Sequence, residues 1–182
     1  GDNPDVSVST SFLPIGVKVE RKGDILNVSG RWRFSSGVDH CRWAIVLVIV
    51  PPENGEGPPD PVFALIDLDD CLVEATWNSA GLAGTGSNDI VVTDADMPPH
   101  RMMRVMDLRG EETDGSRAND SYLYRLPLFA VFPFNITGPA LGAARGALDD
   151  VIEDLTSRHS VTGADLSKAA TVHTRIGQAT AL

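Results

Sequence analysis

The side chains able to do chemistry in this sequence are few, and their spacing excludes most self-contained catalysts. Histidines stand at positions 40, 100, 159 and 173. None is spaced with another His, a Cys or a carboxylate cluster as metal ligands are. Asp39-His40 has the composition of an acid–base pair, but neighbours on a strand point to opposite faces, which favours a structural or surface histidine. The sequence has no Gly-x-Ser-x-Gly elbow and no Ser-His-Asp order. Asp69-Asp70 and Asp149-Asp150 read as solvated faces. The stretch from Gly81 to Asp89 invites a phosphate cradle, because successive backbone N–H groups can hold an anion. It lacks a Gly-Lys-Ser/Thr ending and runs into Ile90-Val91-Val92, which reads as strand, so a glycine-rich turn is the simpler reading.

Composition narrows the partners. The 182 residues suffice for one domain, or for one domain and part of another. A hydrophobic content of 42% supports a real core, and 22% charged residues is ordinary for a soluble protein. The formal net charge of −10, with a pI near 4.7 and no basic run, sets the chain against a phosphate backbone and excludes nucleic acid. Cys41 and Cys71 form neither a disulfide framework nor a metal quartet, and reduced buried thiols in a cytoplasmic protein are the expectation. The longest apolar run, Trp43 to Val50, is far short of the about 20 residues that span a bilayer. Gly1 begins no signal peptide.

The elements that must position any site change character along the chain. Val17–Arg21 and Ile25–Ser29 alternate around a turn at Lys22-Gly23-Asp24, which predicts a hairpin. Trp43–Val50 predicts a strand buried on both faces, Pro51–Pro59 an exposed loop, and Val62–Leu68 a returning strand. Thr76-Trp77, Ile90–Thr93 and the segment around Val105 predict shorter strands, together a barrel or sandwich. Residues 107–125 are loop-like. Thr137 then has the character of an N-cap with Pro139 just inside a helix, whose Leu141, Ala144, Leu148, Val151, Ile152 and Leu155 share one face. A second helix is predicted from Asp165, with Val172, Ile176 and Ala179 facing inward. Two helices with small-residue faces cannot bury themselves, so the sequence reads as truncated at Leu182 and, lacking an initial Met, at its start.

Four blocks then point one way. Ser11-Phe12-Leu13-Pro14-Ile15-Gly16 is the first, and Leu26 through Trp43, containing Ser29-Gly30-Arg31-Trp32-Arg33-Phe34-Ser35-Ser36-Gly37, is the second. Thr76 through Asp89 and Met97-Pro98-Pro99-His100-Arg101 follow. In this order they resemble the oxygenase component of two-component flavin-dependent aromatic monooxygenases, such as hydroxyphenylacetate and secosteroid phenol hydroxylases. The resemblance implies an α+β chain of the acyl-CoA dehydrogenase fold. Residues 1–126 would be its middle β-barrel domain, and residues 127–182 the first helices of an incomplete C-terminal four-helix bundle. Gly1-Asp2-Asn3-Pro4 would be the hinge before the β domain.

The resemblance also implies a mechanism. A flavin reductase would supply reduced FMN or FAD, O2 would add to form a C4a-hydroperoxyflavin, and a phenolic or aromatic substrate would be hydroxylated. Ser36 would stand near flavin N5 and stabilise the peroxide, a task for a small donor and acceptor. Ser35 and Gly37 would let the backbone approach the ring edge, and Ser11 would bond its pyrimidine side. Arg158 would meet a flavin phosphate across a subunit interface, or else serve as a cation at a helix C-terminus. Trp32 and Trp43 read as core packing. Ala83 departs from the arginine common in the family after Gly-Leu. The small-residue face of Ala140–Ala147 and the family habit imply a homotetramer. An acyl-CoA dehydrogenase is the first alternative, but its Trp-Ile-Thr and Thr-Glu-Pro segments are replaced by Phe34-Ser35-Ser36 and Ser11-Phe12-Leu13. A non-catalytic ligand-binding β domain is the other.

Overall fold

Gly23 takes the left-handed conformation (φ 64°) that a two-residue turn between right-twisted strands requires. Around it β2 (Leu13–Lys22) and β3 (Ile25–Ser35) pair antiparallel, as the alternation predicts. The computed structural model describes residues 5–181. The expected hinge at Gly1–Pro4 and the expected helix end at Leu182 lie outside the described residues. Along the chain, two compact units divide between Arg125 and Leu126.

The first unit is two four-stranded sheets. One has the order β1 (Val8–Ser11), β4 (Trp43–Val50), β5 (Asp60–Asp67) and β8 (Met102–Arg104), with β1 parallel to β4. The other has the order β2, β3, β7 (Asn88–Met97) and β6 (Cys71–Glu74). The chain passes from the first sheet to the second at Phe12, between β1 and β2. The expected barrel is not closed: among the described residues no strand ladder joins the two sheets, which pack face to face. Trp32 from β3 and Ala44, Val46, Val48 and Val50 from β4 meet in the core with Ile66, Ile90 and Val92. Trp32 is 0% exposed, and its indole N–H donates to the Leu47 carbonyl of the opposite sheet at 2.7 Å. That bond satisfies a polar atom which burial would otherwise penalise by about 1–3 kcal/mol.

Three local expectations are corrected. β4 buries only one face fully; Ile49 is exposed, so its apolar run is a half-covered strand. Thr76-Trp77 is not a strand, because the side-chain oxygen of Asn88 accepts both their N–H groups, each at 3.1 Å. The strand expected around Val105 is β8, which ends at Arg104 before a 3-10 turn from Val105 to Arg109, but the loop-like 107–125 region contains a short helix, α1 (Asp114–Ala118), with a Thr113–Ser116 capping box.

The second unit holds α2 (Leu128–Ser157) and α3 (Ala170–Thr180). Thr137 is not an N-cap; α2 starts after Pro127 and absorbs both Pro133 and Pro139. Thr137 instead donates its hydroxyl to the Pro133 carbonyl at 2.8 Å, back-bonding within the helix. Leu148, Ile152 and Leu155 of α2 are half-buried, as are Val172 and Ile176 of α3, where the two helices approach. Asp165 caps a 3-10 turn before α3, not α3 itself, by accepting from Ser167 N at 3.0 Å. The Ser167 hydroxyl, which donates to the same carboxylate at 2.6 Å, and then Lys168 lower the Asp165 carboxyl to about 2. No helix among the described residues is long and apolar enough to cross a membrane.

Candidate functional site

β3 ends in a corner built by backbone strain. Phe34 lies in the left-handed region (φ 62°), and so does Leu82 (φ 56°) on the glycine-rich segment facing it. For residues this bulky the conformation costs about 1–3 kcal/mol and persists only where neighbours enforce it. Trp77 is the enforcer on both sides. Its ring meets Phe34 edge-on with centroids 5.9 Å apart, and its indole N–H donates to the Leu82 carbonyl at 3.0 Å. The Arg33 guanidinium covers the Phe34 ring at 4.5 Å. Phe34 stays 42% exposed and Leu82 79% exposed, so the corner presents apolar surface beside its polar groups.

The predicted serines divide between the core and this corner. Ser35 is fully buried, sharing a hydrogen bond with Ser9 at 2.9 Å, and Ser11 donates its hydroxyl to the Arg33 carbonyl at 2.5 Å. These two side chains pin the end of β3 to β1. Ser36 is exposed and hydrogen-bonded to Ser87 at 2.8 Å. Gly37, at φ 72°, donates its N–H to the Thr85 carbonyl at 2.8 Å. A Cβ on Gly37 would meet no atom within 4 Å, so the space beside it is open. Arg158 lies in the second unit as the C-cap of α2, exposed and paired with Asp154 at 3.1 Å.

Sequence reasoning missed the second half of the corner. Thr85 Oγ1 reaches Ser87 Oγ at 2.7 Å and donates to the Leu82 carbonyl at 2.9 Å. Asn88, besides holding Thr76 and Trp77, donates its amide to Asp39 at 2.9 Å, so the Asp39 carboxylate serves this loop and not His40. The alternation of hydroxyls in Thr85-Gly86-Ser87 was the available signal. The glycine-rich segment is one 3-10 turn (Ala83–Thr85) leading into β7, not a phosphate loop before a helix.

Beneath the corner, Arg31 crosses from β3 to Asp89 of β7 at 2.9 Å and Glu74 of β6 at 2.6 Å. The hydrogen bonds that Arg31 donates, to Asp89 first and then to Glu74, raise its pKa and hold it protonated. Arg31 thus ties three strands in register. Hollows elsewhere on the sandwich, one lined by Asp67, Asp70, Asp94, Asp96 and Arg101, share no residue with the corner. Among the described residues no group of His, Cys, Asp and Glu could hold a metal ion.

This architecture is the acyl-CoA dehydrogenase-like fold; solved acyl-CoA dehydrogenases superpose on the chain at identities that speak to the fold alone. The chain matches no protein-family model. It is 30% identical over 187 residues to the oxygenase component of an FADH(2)-dependent resorcinol hydroxylase from Rhizobium sp. (strain MTP-10005), covering 99% of this chain and 45% of that protein. It is 36% identical over 154 residues to HsaA, the oxygenase subunit of a flavin-dependent monooxygenase from Rhodococcus jostii (strain RHA1), covering 84% of this chain and 39% of that protein. The crystal structure of 3-HSA hydroxylase from Rhodococcus sp. RHA1 superposes with a TM-score of 0.88 at 31% identity, over 100% of this chain and 46% of that one. Along nearly its whole length the chain is similar to oxygenase components of flavin-dependent monooxygenases. It spans less than half the length of these relatives.

Proposed function

We propose that this chain supplies the flavin-facing corner of an oxygenase component that hydroxylates a phenolic or aromatic substrate with reduced flavin and O2. The observation that carries the reading is the pairing of exposed Ser36 with an open Gly37 backbone, beside the apolar surfaces of Phe34 and Leu82. A planar flavin ring needs such a setting: an apolar plate, a backbone without a Cβ in the way, and a hydroxyl at its polar edge. The residues present therefore fit the cofactor. When bound, reduced flavin supplies the electrons that activate O2, so that one oxygen atom enters the aromatic ring and the other leaves as water.

The chain's own residues hold and shield. Ser36 is the proposed catalytic hydroxyl, facing flavin N5. Ser35 and Ser11 anchor the end of β3 so that Ser36 and Gly37 keep their place. In the same reading Ser11 lies toward the pyrimidine edge of the flavin, and Arg158 offers a fork of donors across a subunit interface, to the phosphate of a flavin held by a neighbouring copy. Residues 1–126 form the middle domain, and residues 127–182 begin a helical bundle. A partner reductase delivers the reduced FMN or FAD, and the assembly is a cytoplasmic homotetramer, for which light scattering on the intact protein is the check.

The reading is tested by giving the intact protein reduced FMN or FAD, ¹⁸O2 and a panel of phenols. One labelled oxygen in the organic product is expected. Bleaching of bound oxidised FAD by an acyl-CoA, or no flavin binding at all, would overturn it.

A further inference from the structure

The hydroxyls of the corner form a chain with a fixed direction. A hydroxyl has one proton to give, and a carbonyl oxygen can only accept. Thr85 spends its proton on the Leu82 carbonyl at 2.9 Å. In its contact with Ser87 at 2.7 Å it must therefore accept, and Ser87 must donate. Ser87, having given its proton, can only accept in its contact with Ser36 at 2.8 Å, so Ser36 donates inward. The acceptor at the end of this chain is itself held: the Leu82 carbonyl also receives the Thr85 N–H at 3.1 Å and the Trp77 indole N–H at 3.0 Å. Ser87 is buried, so water does not compete in the middle of the relay.

We infer that Thr85 and Ser87 are positioning residues that turn the Ser36 proton inward, making the outward face of Ser36 a hydrogen-bond acceptor that favours reduced over oxidised flavin. This rests on the proposed placement of Ser36 against flavin N5. Reduced flavin carries a proton on N5 and donates there; oxidised flavin has a bare N5 that accepts. An inward-donating Ser36 has lone pairs for the first and no proton for the second. Reversing Ser36 would sacrifice a hydrogen bond inside the relay, which sets the expected selectivity at about tenfold. The strained backbone at Leu82 gains a purpose in this arrangement, since it aims the carbonyl on which the direction depends.

The test is anaerobic titration of the intact protein with oxidised and reduced FMN, and with FAD likewise, giving the ratio of the two Kd values. The midpoint potential of the bound flavin gives an independent reading of the same ratio. Thr85→Val leaves Ser87 free to donate to Ser36, and Ser87→Ala leaves Ser36 without its inward acceptor. Both are expected to shrink the ratio about tenfold by tightening oxidised flavin, and to lower the potential accordingly. Thr85→Ser should keep the wild-type ratio, and Ser36→Ala should lose the discrimination. A disturbed loop would weaken both forms together, so tighter binding of the oxidised form is not a consequence of damage. Unchanged ratios, or parallel weakening, in Thr85→Val and Ser87→Ala would overturn the inference while leaving the flavin site standing. Should Thr85→Val unfold, Ser87→Ala reads the same direction from the other end of the relay. Absence of flavin binding by the wild-type protein would instead overturn the proposed function and this inference with it.

Discussion

The sandwich and the helical unit bury apolar surface in opposite ways. In the sandwich, side chains from two sheets converge on Trp32, and each strand contributes alternate residues to a shared interior. In the helical unit, α2 runs for 30 residues without one buried side chain, and Phe134, Ile136 and Leu141 stand exposed. A helix in that condition has little beyond its own hydrogen bonds and a half-buried seam with α3 to hold it. The sandwich can therefore set a site to within a hydrogen-bond length, while the apolar face of α2 is patterned for a partner surface. The proposed tetramer would supply one.

Trp32 is the sharpest place to break the comparison. Trp32→Ala empties the centre of the core and orphans the Leu47 carbonyl, which predicts a loss of about 3–5 kcal/mol. All three tryptophans lie before residue 126, so urea unfolding followed by the fluorescence of Trp43 and Trp77 reads the sandwich alone. A loss below about 1 kcal/mol would mean that the core does not depend on its centre. Gly30→Ala is next. An added Cβ would lie 2.6 Å from Val17 Cγ2 and 2.9 Å from Val17 Cα, at the irregularity between Ile15 and Lys18 where β2 bulges against β3. The backbone contact cannot rotate away, so a loss of about 1–3 kcal/mol is expected by the same measurement.

What the sequence made legible follows the same division. The β2–β3 hairpin was readable because its turn and its alternation are local, as were the strands β4, β5 and β7. The start of α2 was not, because Pro139 after Thr137 reads as a helix beginning, whereas the helix carries two prolines in its interior. Thr76-Trp77 failed as a strand for a non-local reason, the Asn88 side chain eleven and twelve residues on. The corner shows the same limit. Ser36 was reachable through the family resemblance, but its partner Ser87 is 51 residues away, and no periodicity links two positions that meet only after β7 has paired with β3.

Cys71 gives a smaller effect, confined to high pH. Burial first, then Asp70 and Asp67, push its thiol from 9.0 up to about 12. The folded state holds this proton more tightly than the unfolded state does. The contribution is therefore whole below pH 9 and is lost as the pH climbs from about 9 towards 12. Cys71→Ala should flatten that alkaline fall in the melting temperature of the sandwich. An equally steep fall in the variant would assign it to other groups.

Leu141→Ala should do least, and that small effect is the sharpest test of the helical side of the comparison. Leu141 is 65% exposed on the predicted apolar face of α2, so truncating it creates no cavity within this chain. Alanine is also the better helix former, by a few tenths of a kcal/mol. Thermal or urea unfolding of the 182-residue chain, followed at 222 nm where the helices dominate, is expected to move by no more than about 0.5 kcal/mol. A loss above about 1 kcal/mol would show that the Leu141 face of α2 packs against something within the chain, and the contrast between a self-sufficient sandwich and a helix awaiting a partner would fall. If the chain assembles at high concentration, the same substitution should weaken assembly while leaving the dilute unfolding curve in place. Leu141 would then contribute through a partner's surface and not through its own unit.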